Sequence, residues 1–455
     1  MSLFEFYSQN DITTFEDVKE QMKNMKITVK YDEENYLLYA NEEVCDMTNP
    51  ITRQCQGIIL NKEKIDQVVC YSSNKTEDIV IEKNTSEYEI KTLNMDDWES
   101  FKIQQLVDGT LIRVYYHNGG WKTSTKKVID AVNSYWNSEK SFAEMFQECA
   151  EETSFDYAKL STDSCYYFII KHPENRNISK QLKKDLVHVG SRNLTTLEEF
   201  ETDLGIQKPL DAHFDSFEKM VEVCKQVEYS NPGYMIMDSD YNRVKVQAAE
   251  YNFVKELKGN MPNMKIRFLY LREKHMVENF LFYFPEYTQM FQGIEESIRN
   301  ASYKVYQTYV TMRIKKQQVE LSPIDKDLTY LLHGEYLQTR NKVSMAMVMY
   351  FVNQLSIAKL GILVGLIKDK RLQKKVETVE VVEVVEPVET VEPFEVEVVE
   401  PVEVVEVVEP VEVESSGEES SASMEIYLGG DDSSDEEVET VEEKVVDYTV
   451  LDKLV

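Results

Sequence analysis

The chain is poor in the features that mark membrane, secreted or metal-clustered proteins. Its six cysteines (Cys45, Cys55, Cys70, Cys149, Cys165 and Cys224) form no CxxC pair and have no histidine at ligand spacing. Six scattered thiols in a chain of 455 residues read as reduced, so neither a disulfide framework nor a metal site is expected. No apolar stretch approaches the roughly 20 residues that a membrane span needs; "LGILVGLI" at 360–367 stops far short. The opening "MSLFEFYSQNDITTFEDVKE" lacks the basic and apolar segments of a secretory signal. The expectation is an intracellular protein, of cytoplasm or nucleus, with no membrane partner.

Positive charge is also scarce, but unevenly so. Fifty Lys and Arg face 82 Asp and Glu, a net of −32. Between Val376 and Val455 there are 27 acidic residues against Lys444 and Lys453 alone, which leaves 48 basic and 55 acidic residues before them. The acidity therefore belongs to a tail, and it does not exclude nucleic acid as a ligand of the body. In the tail, "VETVEVVEVVEPVETVEPFEVEVVEPVEVVEVVEPVEVE" places glutamate mainly at every third residue and interrupts the run with proline. That period suits neither helix nor strand, so 376–455 reads as a disordered, acidic segment. Ser433 and Ser434 in "DDSSDEE" precede acids and are phosphorylation candidates, beside the plainer reading of an unmodified solubilising tail. A basic protein partner is the interaction that such a charge run suits; a merely solvated run is the alternative.

Local patterning divides the rest. "QGIILNKEKIDQVVCYS" and "TLIRVYYHNGGWKTST" alternate apolar and polar residues across turns, as hairpins do, and "HNGG" supplies the positive φ of a tight turn. "SFAEMFQECAEE" puts Phe142, Met145, Phe146 and Cys149 on one helical face, and Phe217, Met220, Val221, Cys224 and Val227 mark another. "SCYYFIIKHP" is a buried strand stopped by Pro173, and "GYMIMD…NRVKVQAAEY" reads as a further hairpin. The expected organisation is a lead-in over 1–44, an antiparallel-sheet α+β domain over 45–255 and an all-helical domain of four or five helices over 256–375. In that last region Pro285 opens a helical register of Met290, Ile294, Ile298, Ala301, Val305 and Tyr309. The Met-rich "VSMAMVMYFVNQLSIAKLGILVGLI" is expected to lie mostly in its core.

The motifs in 50–255 resemble those of the RNA-ligase and capping-enzyme superfamily of covalent nucleotidyltransferases. The flavour is that of ligase-like proteins of large DNA viruses, including the iridovirus immediate-early protein family. The resemblance implies a nucleotidyltransferase-like fold. In that superfamily a lysine two residues before an Asp-Gly pair attacks the α-phosphate of ATP or GTP. Asp108 and Gly109 match the pair, but Leu106 stands at the lysine position, and a hydrocarbon has no lone pair. "CYYFIIKHPENRNI" matches at Pro173, Asn175 and Arg176 yet offers Ile169 and Ile170 where an acid would bind ribose or metal. "NPGYMIMD" has Pro232 where glutamate would precede the glycine. "RVKVQAAEY" keeps Lys245 and puts Gln247 at the second lysine, unless the register moves to Arg243 and Lys245.

The resemblance thus implies a retired active site: no nucleophile, no metal ligands and no cofactor. The expected function is binding of RNA, nucleotide or a protein partner, through Asp108, Gly109, Lys122, Lys126, Asn175, Arg176 and Lys245. For Asn175 and Arg176 a purely structural role weighs evenly against ligand contact. Two alternatives stay open. An active ligase would use a displaced lysine such as Lys102, with Mg and ATP or GTP; a scaffold would act through the acidic tail.

Overall fold

The computed structural model describes residues 2–85, 87–136, 138–261 and 263–368. The tail from 376 onward, with Ser433 and Ser434, lies outside the described residues.

Two short helices open the chain, α1 (Leu3–Gln9) and α2 (Phe15–Asn24), each closed at its N-terminus by a reciprocal capping box, Ser2 with Glu5 and Thr14 with Asp17. They cover a four-stranded sheet of β1 (Thr28–Tyr31), β2 (Asn35–Tyr39), β3 (Gln56–Asn61) and β4 (Val68–Cys70), with α3 (Pro50–Gln54) between β2 and β3. The first 44 residues are therefore part of a layer rather than a preamble, because β2 pairs with β3 from Asn35↔Asn61 to Tyr39↔Gln56.

Chain order then runs β5 (Glu77–Val80), β6 (Lys102–Gln105), β7 (Thr110–His117), β8 (Gly120–Ser124), α4 (Phe142–Glu152), β9 (Ser164–Lys171), β10 (Asp185–Asn193), β11 (Glu199–Phe200), α5 (Phe217–Gln226), β12 (Gly233–Met237) and β13 (Arg243–Gln247). These strands form two sheets, β11-β10-β9-β7-β8 and β5-β13-β12-β6. All pairs are antiparallel except β5 with β13. The expected hairpins are present. In the β7–β8 turn Asn118 and Gly119 both take positive φ, 49° and 79°, as "HNGG" requires.

Period-two patterning decides which side chains each sheet buries. On β9, Tyr166, Phe168 and Ile170 pack with Ile112 and Val114 of β7 and with α4. On β12 and β13, Tyr234, Ile236, Val244 and Val246 pack against α5. The intervening residues, Tyr167, Ile169, Met235, Met237, Arg243 and Lys245, line a shared cavity.

Helix follows: α6 (Ala249–Lys258), α7 (Met264–Glu273), α8 (Val277–Tyr283), α9 (Thr288–Tyr309), α10 (Pro323–Thr339), α11 (Met345–Asn353) and α12 (Ile357–Leu363). Among the described residues beyond 259 that makes six helices, not four or five. The long pattern after 326 breaks twice: Arg340 ends α10 at a left-handed φ of 58°, and Ser344 and Ser356 cap new helices. On α9 the buried stripe is Phe291, Ile294, Ile298, Ser302, Val305 and Tyr309, while Met290 is 37% exposed. The Met-rich segment is less buried than expected; Val348 and Val352 fill the core, and Met345, Met347 and Met349 are half-buried beside them. The fold class is α+β with mainly antiparallel sheets and a helical C-terminal part. No described helix is long and apolar enough to cross a membrane, and all six cysteines are buried free thiols.

Candidate functional site

The cavity has a volume of about 880 Å³ and lies between β7 and β9 on one side and β6, β12 and β13 on the other, with α6 at its edge. Beyond Gln105 the chain turns, Leu106 donates its N–H to Gly233 O at 2.8 Å, and Asp108-Gly109 lead into β7. Both glycines here are sterically required. A Cβ at Gly109 would stand 2.4 Å from Ile169 Cγ2 and 2.5 Å from Ile170 O. At Gly233, with φ +112°, it would stand 2.0 Å from Val246 O.

Asp108 is 7% exposed and engaged on both oxygens. Oδ2 accepts the N–H groups of Ile178 (3.0 Å) and Ser179 (2.6 Å), and Oδ1 accepts the Tyr251 hydroxyl (3.0 Å). A carboxylate so occupied holds the turn, the 178–179 segment and α6 together. Asn177 Nδ2 donates to Gly109 O at 2.5 Å from the same segment.

Cations gather at the cavity wall. Lys245 projects from β13, and Lys126 from the turn between Thr125 and Val128 that follows β8. That turn is pinned by the fully buried Arg113, which donates to Ser124 Oγ (3.1 Å), Thr125 O (2.6 Å) and Gly57 O. Burial pushes the Lys126 amine down to about 8, helped by the positive charges of Lys75 and Lys245. Burial also lowers Lys245, against the pull of Asp78. From α6, Lys255 donates to Gln247 Oε1 at 2.9 Å, and Lys258 donates to the carbonyls of Arg176 and Asn177. Burial takes Lys258 down to about 8, with Asp108 opposing.

The candidate residues part company here. Asp108, Gly109, Lys126 and Lys245 line the cavity, while Lys122 is exposed on β8 opposite Tyr115. Strand parity pairs Lys122 with Lys126, but β8 ends at Ser124 and only the turn swings Lys126 inward. Asn175 is buried beside the cavity, its Nδ2 on Thr110 Oγ1 at 2.8 Å. Arg176 faces the helices: it pairs with Glu286, donates to Ile178 O (3.1 Å) and Tyr283 O (2.7 Å), and lies 4.4 Å over the Phe284 ring. Both therefore have structural partners. Lys102 is ion-paired to Glu201, and Arg243 to Glu199.

Leu106, Ile169 and Pro232, three positions where the resemblance calls for a nucleophile or an acid, line this one cavity together. The sequence reading missed Tyr251, Lys255 and Lys258. Their spacing of four and three residues was a visible signal that α6 turns one face to the site.

No protein-family model matches the chain. It is 37% identical over 100 residues to an immediate-early protein ICP-46 homolog of Invertebrate iridescent virus 6, covering 22% of this chain and 21% of that protein. It is 25% identical over 258 residues to the ICP-46 homolog of Invertebrate iridescent virus 3, covering 54% and 56%. A protein of Autographa californica nuclear polyhedrosis virus that carries the designation bifunctional polynucleotide kinase/RNA ligase is 25% identical over 236 residues, covering 49% and 34%. The chain thus spans between about a fifth and just over half of the curated relatives it matches. Among solved structures, an archaeal ATP-dependent RNA ligase aligns over 57% of this chain and 64% of its own at 9% identity, with a TM-score of 0.37. The Naegleria gruberi RNA ligase with ATP and Mn aligns over 40% and 61% at 9% identity, with a TM-score of 0.27. The chain is similar to ligase-like proteins of large DNA viruses.

A divalent cation, such as the Mg²⁺ that an active ligase would use with ATP or GTP, needs several hard oxygen ligands. The side chains of Leu106, Ile169 and Pro232 offer none, both oxygens of Asp108 are engaged, Glu256 is the one other carboxylate lining the cavity, and no group of three His, Cys, Asp or Glu stands together among the described residues. The donor set does not fit a resident metal.

Proposed function

We propose that this chain is a non-catalytic ligase-like protein whose inter-sheet cavity binds the phosphates of a nucleotide or an RNA end. The observation that carries the reading is the composition of one wall set: Leu106, Ile169 and Pro232 share the cavity with Lys126 and Lys245. Apolar groups replace the parts that make and break bonds, while cations that attract phosphate remain. Lys102 gives no support to a displaced nucleophile, since Glu201 holds its amine and it lies at the far end of β6. A protein partner and the role of the acidic tail belong to the same proposal only as additions to this binding site.

One observation favours the opposite reading. An amine at about 8, as in Lys126, is unprotonated in part near neutrality and is the more nucleophilic for it. The deciding experiment incubates the protein with α-labelled ATP or GTP and Mg²⁺ or Mn²⁺, then looks for label that survives denaturation. The expected result is none, beside retention of unmodified nucleotide under native conditions. A covalent band that disappears in Lys126→Gln would make the chain a nucleotidyltransferase and overturn the proposal.

A further inference from the structure

The walls of the cavity raise a question of charge that the reading above does not answer: what neutralises the phosphates. We infer that the cavity takes its phosphate ligand as the metal-free anion, with the ammonium groups of Lys126, Lys245 and Lys255 standing in for a divalent cation. The inference rests on the proposed nucleotide-binding reading and deepens it.

Three cations approach the cavity from three separate elements, the turn after β8, strand β13 and helix α6. The side-chain amines of Lys126 and Lys245 make no hydrogen bond or ion pair with any described residue. Lys255 spends one of its three N–H donors on Gln247. Where the superfamily resemblance calls for a second lysine on β13 there is Gln247, and its amide oxygen anchors a lysine supplied by the neighbouring helix.

The acids nearby are otherwise employed. Asp108 accepts three hydrogen bonds, Asp78 takes Lys75 Nζ (2.7 Å) and Thr76 Oγ1 (3.0 Å), and Glu256 accepts from Asn252 at 2.7 Å. Lys126 and Lys245 are half-buried, with Asp78 the acid whose charge reaches both, while Lys255 stands at the exposed rim. Like charges this close repel one another, the more so where water is partly excluded. A polyanion relieves that repulsion. The same polyanion carrying Mg²⁺ brings two further positive charges to a cavity lined by only two carboxylates, Asp108 with both oxygens engaged and Glu256 at the exposed rim. Phosphate without metal is the better electrostatic match.

The test uses the full-length protein and ATP at fixed ionic strength, with dissociation constants measured by calorimetry in EDTA and in excess MgCl₂. The expected result is binding in EDTA at least as tight as in Mg²⁺, with inorganic tripolyphosphate displacing ATP in EDTA. Lys126→Gln is expected to weaken the EDTA binding tenfold or more, while Lys122→Gln, outside the cavity, leaves it unchanged. Binding that requires Mg²⁺, or is tighter with it, overturns this inference and leaves the nucleotide-binding reading standing. No binding of ATP under either condition overturns both.

Discussion

Tyr251 of α6 donates its hydroxyl to Asp108 across 143 positions of chain, at 3.0 Å. The bond couples the turn between β6 and β7 to the helix that carries Lys255 and Lys258, so the carboxylate works as a fastener. Asp108→Ala leaves the Ile178 and Ser179 amides and the Tyr251 hydroxyl without their acceptor. Urea denaturation is expected to show a loss of about 2–4 kcal/mol. A loss below about 0.5 kcal/mol, within the range of ordinary surface substitutions, would mean that the turn is held by something else.

Gly109 makes a separate steric prediction. In Gly109→Ala the new methyl must displace Ile169 and the backbone at Ile170. The expected cost is about 1–3 kcal/mol, with weaker nucleotide binding because Ile169 lines the cavity. Thermal unfolding and ATP calorimetry on the same sample check both halves.

Acidity should govern affinity through Lys126. Its amine stands at about 8 in the free protein, and a bound phosphate raises it. The complex therefore binds more protons than the free protein above pH 8, so affinity falls as pH rises, by up to about tenfold per unit. Below 8 the lysine is already charged and the profile flattens. Dissociation constants for ATP across this range should show the slope, and Lys126→Gln should flatten it. An unchanged slope in the variant would assign the proton elsewhere.

Arg176 separates stability from binding. Its guanidinium serves Glu286, two carbonyls and the Phe284 ring, and it does not reach the cavity. Arg176→Ala is expected to lose about 1.5–3 kcal/mol, most of it from the two carbonyls because Glu286 is partly exposed. ATP affinity should stay within twofold of the parent. A tenfold loss of affinity in a folded variant would restore Arg176 to the binding site.

Restoring the amine alone should not restore chemistry. Leu106→Lys puts an amine where the superfamily resemblance calls for the nucleophile but leaves Ile169 and Pro232, whose side chains cannot hold a metal or the ribose, where it calls for acids. Label from α-labelled ATP is expected not to survive denaturation in this variant. A stable adduct would show that the rest of the site is more competent than its side chains imply.

Much of this was legible in the sequence, and the exceptions share causes. Hairpins at 56–70, 110–124 and 233–247 announce themselves because period-two alternation and turn glycines are local signals. The layer built by the first 39 residues was missed, although Ser2…Glu5 and Thr14…Asp17 spell two capping boxes, because short helices and strands gain their stability from packing on β3. The inward turn of Lys126 depends on Arg113 reaching its carbonyl neighbours, and the parallel pairing of β5 with β13 joins strands far apart in sequence. Neither has a local signature. Arg176 looked equally fit for ligand or structure until Glu286, 110 residues away, came into contact with it.

The hydrocarbon at position 106 has a temporal consequence. A protein that forms a bond to its ligand keeps a record of each encounter until a second reaction erases it. With leucine there, the proposed binding site would keep no record: a bound phosphate would leave as the molecule that arrived, and occupancy at any moment would follow the surrounding concentration. On that proposal the site would act as a gauge, its occupancy falling as quickly as its ligand departs.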